Sequence, residues 1–158
     1  MLVWPMDLIV AADDAQFSDV VVAMGIIGAE YFAHPWEVGP RKAKEMLFTG
    51  RPISAEEGRM LGMVNQVVPR AELGKRTLEL AQEIASKPTF ALKSVKQAVN
   101  AVEDAQGRQT ALLAAFAFHH LNHSHCMEVH GLPVDATGIR GSVRKTPYTP
   151  KTDTSAPR

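Results

Sequence analysis

The chain has 158 residues, 46% of them apolar and 22% charged, and its 17 acidic residues balance its 17 lysines and arginines. That length suits one domain with a modest core, and the balanced charge gives no electrostatic reason to expect nucleic acid or an anionic membrane as a partner. Its one cysteine, Cys126, excludes an intrachain disulfide and fits a reducing cytoplasm.

The run Leu8-Ile9-Val10-Ala11-Ala12 ends at Asp13-Asp14, the pattern of a buried strand closed by a turn. No basic stretch precedes that run and Asp7 interrupts it, so the start reads as neither signal peptide nor membrane span. Gln16 to Val22 reads as a second short extended segment. A strand so early has no preceding partner, and its edges must be paired from elsewhere.

Pro40 opens a helix that Thr49-Gly50 ends. Ser54-Ala55-Glu56-Glu57 is a capping box, in which the Ser54 hydroxyl accepts an amide hydrogen bond and Glu57 reaches back. The short helix it opens contains Gly58, at a cost of about 1 kcal/mol relative to alanine, and stops at Gly62. Met63 to Val68 reads as extended and is closed by Pro69.

Three amphipathic helices follow. Leu73, Thr77, Leu80, Ala81 and Ile84 share a face of the first, and Leu92, Val95, Val99 and Val102 share a face of the second, after Pro88. The third spans about Gln106 to His125, with Leu112, Leu113, Phe116 and Leu121 as its apolar band. These faces call for a common core or a partner surface. From Gly131 on, proline, glycine, serine, threonine and basic residues predominate and periodicity is lost, so 131–158 reads as a disordered tail. The divisions are 1–68 for strands and first helices, 69–130 for the helical region, and the tail.

Gly39, Ala43, Thr49-Gly50, Ser54-Ala55, Glu57, Leu61-Gly62, Val64 and Val67-Val68-Pro69 form a helix–turn–helix–strand pattern that resembles the crotonase superfamily, the enoyl-CoA hydratase/isomerase family. Ala15-Gln16-Phe17-Ser18 is similar to that family's strand before the active-site segment, Gly25-Ile26-Ile27-Gly28 to the loop after it, and Lys87-Pro88 with Lys93 to a later helix. The resemblance fades after about Phe118 and corresponds to the C-terminal half of a family subunit. It implies an α/β, crotonase-like fold, here truncated: a few short strands from the ββα spiral core, then a mainly helical C-terminal oligomerisation region. It also implies acyl-CoA as substrate in fatty acid metabolism, hydratase (lyase) or isomerase chemistry, no cofactor, and a partner that is either a second copy or a complementary N-terminal chain.

In the family, two backbone amides hold the thioester oxygen as charge builds on it, and two glutamates handle the protons of one water. By resemblance both amides lie upstream of Met1, and the two glutamate positions fall on Met1 and Val21. Neither side chain moves a proton, so the chain alone is expected to be catalytically incomplete. The nearest carboxylate is Asp19, a catalytic candidate if partial burial raises its pKa; the alternative is a turn aspartate at a strand end. Glu30 and Glu37 flank His34-Pro35-Trp36, a region that in the family lines the acyl pocket, although dipole compensation at a helix start also explains glutamates there. Phe32 and Trp36 are the substrate-binding candidates. His119 and His123 share a helix face and would need a third ligand, such as His130 or Cys126, to hold zinc; a solvated or interface face is the favoured reading, and no metal is expected. Arg140, Arg144 and Lys145 make the tail basic. The sequence lacks GxxxxGK[ST], GxGxxG and GxSxG, so nothing supports phosphate transfer or serine hydrolysis.

Overall fold

In a computed structural model, residues 3–29 and 31–141 are described. Met1 and Glu30, two of the positions raised above, lie outside them, as do Arg144 and Lys145. The strands are short: β1 (Val10–Ala12), β2 (Gln16–Phe17), β3 (Ile53–Ser54) and β4 (Gln66–Val68). β1 finds its partner in β4, which runs parallel to it with Val10 opposite Gln66 and Ala12 opposite Val68. Asn65 pins that register: its side-chain oxygen accepts from Ile9 N–H at 2.7 Å, and its own N–H donates to the Ile9 carbonyl at 2.9 Å. β2 and β3 pair antiparallel, Phe17 opposite Ile53.

The extended segment expected over Gln16 to Val22 stops at Phe17; Val21–Met24 is instead a 3₁₀ turn. Asp19 turns the chain there, its Oδ1 accepting from Val21 N–H at 3.2 Å, and a side chain that bonds the backbone two residues on competes with a ladder. The turn closes at Gly25, with φ +72°, a conformation favoured in glycine.

Seven helices are described. α1 (His34–Val38) and α2 (Pro40–Thr49) are separated by Gly39, and Gly50 caps α2 in the left-handed conformation, its N–H donating to Met46 O. α3 (Ala55–Met60) begins as the capping box requires, Ser54 Oγ accepting from Glu57 N–H at 3.1 Å. The reciprocal half is absent: the Glu57 carboxylate turns to Lys42 Nζ at 2.6 Å and ties α3 to α2. Gly58 has a packing reason, because a Cβ there would lie 3.1 Å from Val64 Cγ2 and 3.2 Å from Met63 Cε.

These elements enclose the core: Trp4, Ile9, Ala11, Ala33, Val38, Ala43, Met46, Ile53, Ala55, Met63 and Val64 form one buried cluster. The later helices α4 (Leu73–Ala85), α5 (Thr89–Ala105) and α6 (Arg108–His130) contain the expected faces, α6 running past the expected end at His125, but they do not close a second core. On α5, Val95, Val99 and Val102 are exposed. The band expected on α6 faces outward except at Leu112, which is half-buried: Leu113, Phe116 and Leu121 are exposed while Ala115 and Cys126 are buried. Small residues win the inward face because α6 approaches a backbone loop: Cys126 Sγ lies 3.6 Å from Gly25 O.

The tail expectation is corrected over 131–141. Asp135 N–H donates to Met24 O at 2.8 Å, and Asp135 Oδ1 accepts from Thr137 N–H at 2.8 Å, opening α7 (Ala136–Gly141). Composition hid this because the turn works through one aspartate and one glycine: a Cβ on Gly138 would sit 1.9 Å from Ala23 O. Residues 142–158 lie outside the described part.

Candidate functional site

The segment after β2 carries the candidate chemistry. The turn that ends β2 drives Asp19 inward, and its side chain meets His34, the first residue of α1, which has no exposed surface. Asp19 Oδ2 lies 3.2 Å from His34 Nε2. The approach is off the axis of a hydrogen bond, so Oδ2 and both ring nitrogens have no hydrogen-bond partner among the described residues. Buried polar groups left in that state are uncommon, and here they sit together. Aromatic rings surround the imidazole: Trp4 edge-on at 4.3 Å between centroids and Phe32 tilted at 5.0 Å.

The direction of the Asp19 pKa corrects the expectation. Burial pushes it up, but the His34 imidazole and the Val21 N–H outweigh that and hold the carboxyl below its ordinary value. Asp19 is therefore ionised at neutral pH. Val21, to which the resemblance gives the second glutamate position, is half-buried at the start of the 3₁₀ turn two residues on. The sequence pointed to Asp19 but not to its partner: His34 stands in a different element, and no local spacing signals the pairing.

Phe32 therefore belongs to the surroundings of this pair. Trp36, half-buried on α1, does not touch it through any described ring contact. A second feature is a cavity of about 870 Å³ between the segment Trp4–Ile9 and the helices α5 and α6. Neither Asp19, Phe32 nor Trp36 lines it; Glu37 does, with Tyr31, Glu103 and Arg108. Glu37 is half-buried, and burial, aided by the like charge of Glu103, raises its pKa. It is thus not merely a solvated helix-start acid, although it does stand in the first turn of α1.

The histidines of α6 do not assemble a three-ligand centre: among the described residues no group of three or more histidine, cysteine, aspartate or glutamate side chains is placed to hold a metal. His130 faces Asp135 at 3.8 Å, and Cys126 faces the Gly25 carbonyl. No described helix is long and apolar enough to cross a membrane.

Comparison with known proteins agrees with the fold. The family model described as enoyl-CoA hydratase/isomerase matches residues 1–133. EchA13 of Mycobacterium tuberculosis, whose name assigns it to the enoyl-CoA hydratases, is 51% identical over 132 residues, which is 83% of this chain and 42% of that protein. The crystal structure of a probable enoyl-CoA hydratase from Mycobacterium smegmatis superposes with a TM-score of 0.80 at 54% identity, covering 83% of this chain and 54% of that one. A probable enoyl-CoA hydratase from Mycobacterium thermoresistibile gives 0.80 at 55% identity, covering 83% and 53%. The chain thus spans about half the length of these relatives or less. Its short strands, helical second part and extensive match identify it: the chain belongs to the enoyl-CoA hydratase/isomerase family and has the α/β, crotonase-like fold.

Proposed function

We propose that the chain serves acyl-CoA thioester chemistry of the hydratase or isomerase type, that Asp19 is its proton-accepting group, and that His34 positions Asp19. The observation that carries this reading is the buried Asp19–His34 contact at 3.2 Å, two residues before Val21, to which the resemblance gives the second glutamate position. An ionised carboxylate has a lone pair free to take a proton from a carbon next to a thioester or from water, and the imidazole behind it fixes its orientation. Phe32 walls the pair, and Trp36 is assigned to the acyl side of the same segment. The amides that stabilise the enolate come, in this reading, from a complementary N-terminal chain that adds to the open edge of β1 or β4. The chain alone then shows no turnover above background.

Co-expression with a family N-terminal half, followed by affinity purification and a crotonyl-CoA assay, tests this. The expected result is a complex that turns over the thioester, with Asp19→Asn lowering kcat by about a hundredfold or more. Two polypeptides that do not co-purify, or an Asp19→Asn complex as active as wild type, overturn it.

A second reading rests on a different observation. With Val21 apolar and Val95, Val99 and Val102 exposed along α5, the chain is a non-catalytic member that works as a helical assembly module, a homo-oligomer formed through those faces. Self-association together with no turnover in any complex favours it.

A further inference from the structure

His119 and His123, one turn apart on α6, make three contacts in series. His119 Nδ1 lies within hydrogen-bond distance of the Ile27 carbonyl, His119 Nε2 lies 2.9 Å from His123 Nε2, and His123 Nδ1 meets the Pro133 carbonyl. A carbonyl oxygen only accepts, so each Nδ1 must carry a proton. Two neutral imidazoles hold two protons, and both are then used. The two Nε2 atoms would face each other as bare lone pairs at 2.9 Å. The three contacts require three protons, one more than the neutral pair carries.

We propose that His119 and His123 form a proton-gated clasp: the pair shares one additional proton between the two Nε2 atoms, carries a single positive charge, and in that state holds the Gly25–Gly28 loop and the Pro133 turn against α6. Closing takes up one proton from solvent and opening returns it. The closed form is therefore favoured at lower pH and is lost as pH rises. The neutral pair satisfies only two of the three contacts, so on opening either the rings part at Nε2 or one of them releases its carbonyl, at Ile27 or Pro133.

The surroundings leave the charge of the pair to the pair itself. The turn Val21–Met24 and the loop Gly25–Gly28 contain no ionisable side chain. From 131–138 comes Asp135, which is engaged by Thr137 at its Oδ1 and faces His130 at 3.8 Å. On α6 itself the neighbours are His120, whose ring lies 5.9 Å from that of His119, with His125, Glu128 and Cys126 further along the helix. On α7 the ionisable residue is Arg140. The clasp stands on hydrogen-bond parity alone and does not depend on the role proposed for Asp19.

The test uses the full chain, without an affinity tag, in buffer containing EDTA. Ring ¹⁵N spectra are expected to show both Nδ1 atoms protonated and one proton shared by the two Nε2 atoms at about pH 6, and loss of that shared proton by about pH 8.5. Amide hydrogen exchange, corrected for its intrinsic pH dependence, should show protection over 25–29 and 131–135 falling about tenfold across the same interval. His123→Gln should flatten that response, and His125→Gln, which alters a ring outside the three contacts, should leave it intact. An Nε2-protonated neutral tautomer in either ring at pH 6, protection independent of pH, or pH dependence that survives His123→Gln overturns the proposal. So does a clasp that forms only when zinc is added in place of EDTA, which would make the shared cation a metal. The spectra need no variant, so the proposal stays falsifiable even if His123→Gln does not fold.

Discussion

The two halves of the chain solve the burial problem differently. From Ile9 to Val68, strands of two or three residues and helices of five to ten close around one cluster. Each short element contributes one or two buried side chains: Met46 from α2, Ile53 from β3, Ala55 from α3. From Leu73 to His130 the helices are longer, and α4 and α5 carry clear apolar periodicity, yet these two bury no residue fully. Amphipathic patterning makes a helix ready to bury a face but does not supply the opposing surface. The short elements are stabilised by tertiary contact, whereas the long ones rest on propensity, side-chain pairs such as Arg108 with Asp104 at 2.9 Å, and whatever covers their apolar faces.

The contrast can be broken first in the core. Met46→Ala removes a large side chain with 1% exposure, and the cavity should cost about 2–5 kcal/mol, read as a shift in the urea midpoint. Next, Asp19→Ala leaves His34 fully enclosed without its acid and the Val21 N–H without its acceptor, and losing a buried polar partner costs about 1–3 kcal/mol by the same measurement. A loss below 1 kcal/mol would show that the pair is not buried in solution. Third, Gly138→Ala drives a Cβ into the Ala23 carbonyl; overpacking of this kind costs about 1–3 kcal/mol and should appear as loss of exchange protection in α7 and over 21–25.

The pH response sharpens the comparison further. The Asp19 carboxyl is held below its ordinary value of 3.8 by its neighbours. Its stabilising contribution is therefore fully present above that value and is lost as pH falls through the lower folded value. An acid-unfolding curve should show this loss in wild type and a shallower slope in Asp19→Asn. The smallest effect belongs to the other half: Val99→Ser, at a position 56% exposed, should change unfolding free energy by no more than about 0.5 kcal/mol. In sedimentation velocity the same variant should weaken any self-association through α5. A large loss of stability with no change in sedimentation would mean that the α5 face is covered within the chain.

Legibility in the sequence followed the range of the interaction. The start and stop of α2 and the starts of α3 and α5 could be read from Pro40, Gly50, Ser54 and Pro88 because caps and prolines act on backbone groups within four residues. β4 was legible for the same reason, as Val67-Val68 before Pro69. The limits of that reading are equally specific. Asp19 drew notice as a carboxylate near an empty glutamate position, but the sign of its pKa shift depended on His34, which no spacing rule connects to it.

The amino-acid order by itself determined the family, the helices α2 to α6 with the caps of α2 and α3, and the two short extended runs that became β1 and β4. Tertiary structure alone decided that β1 pairs parallel with β4 across an intervening run of some fifty residues, that Ala115 and Cys126 rather than the larger residues face inward on α6, and that His119 and His123 meet two carbonyls at once. The division has a physical cause. Torsional preference and capping are settled among neighbours in the chain, whereas which face is buried and which donors meet which acceptors are settled only when distant segments compete for the same space.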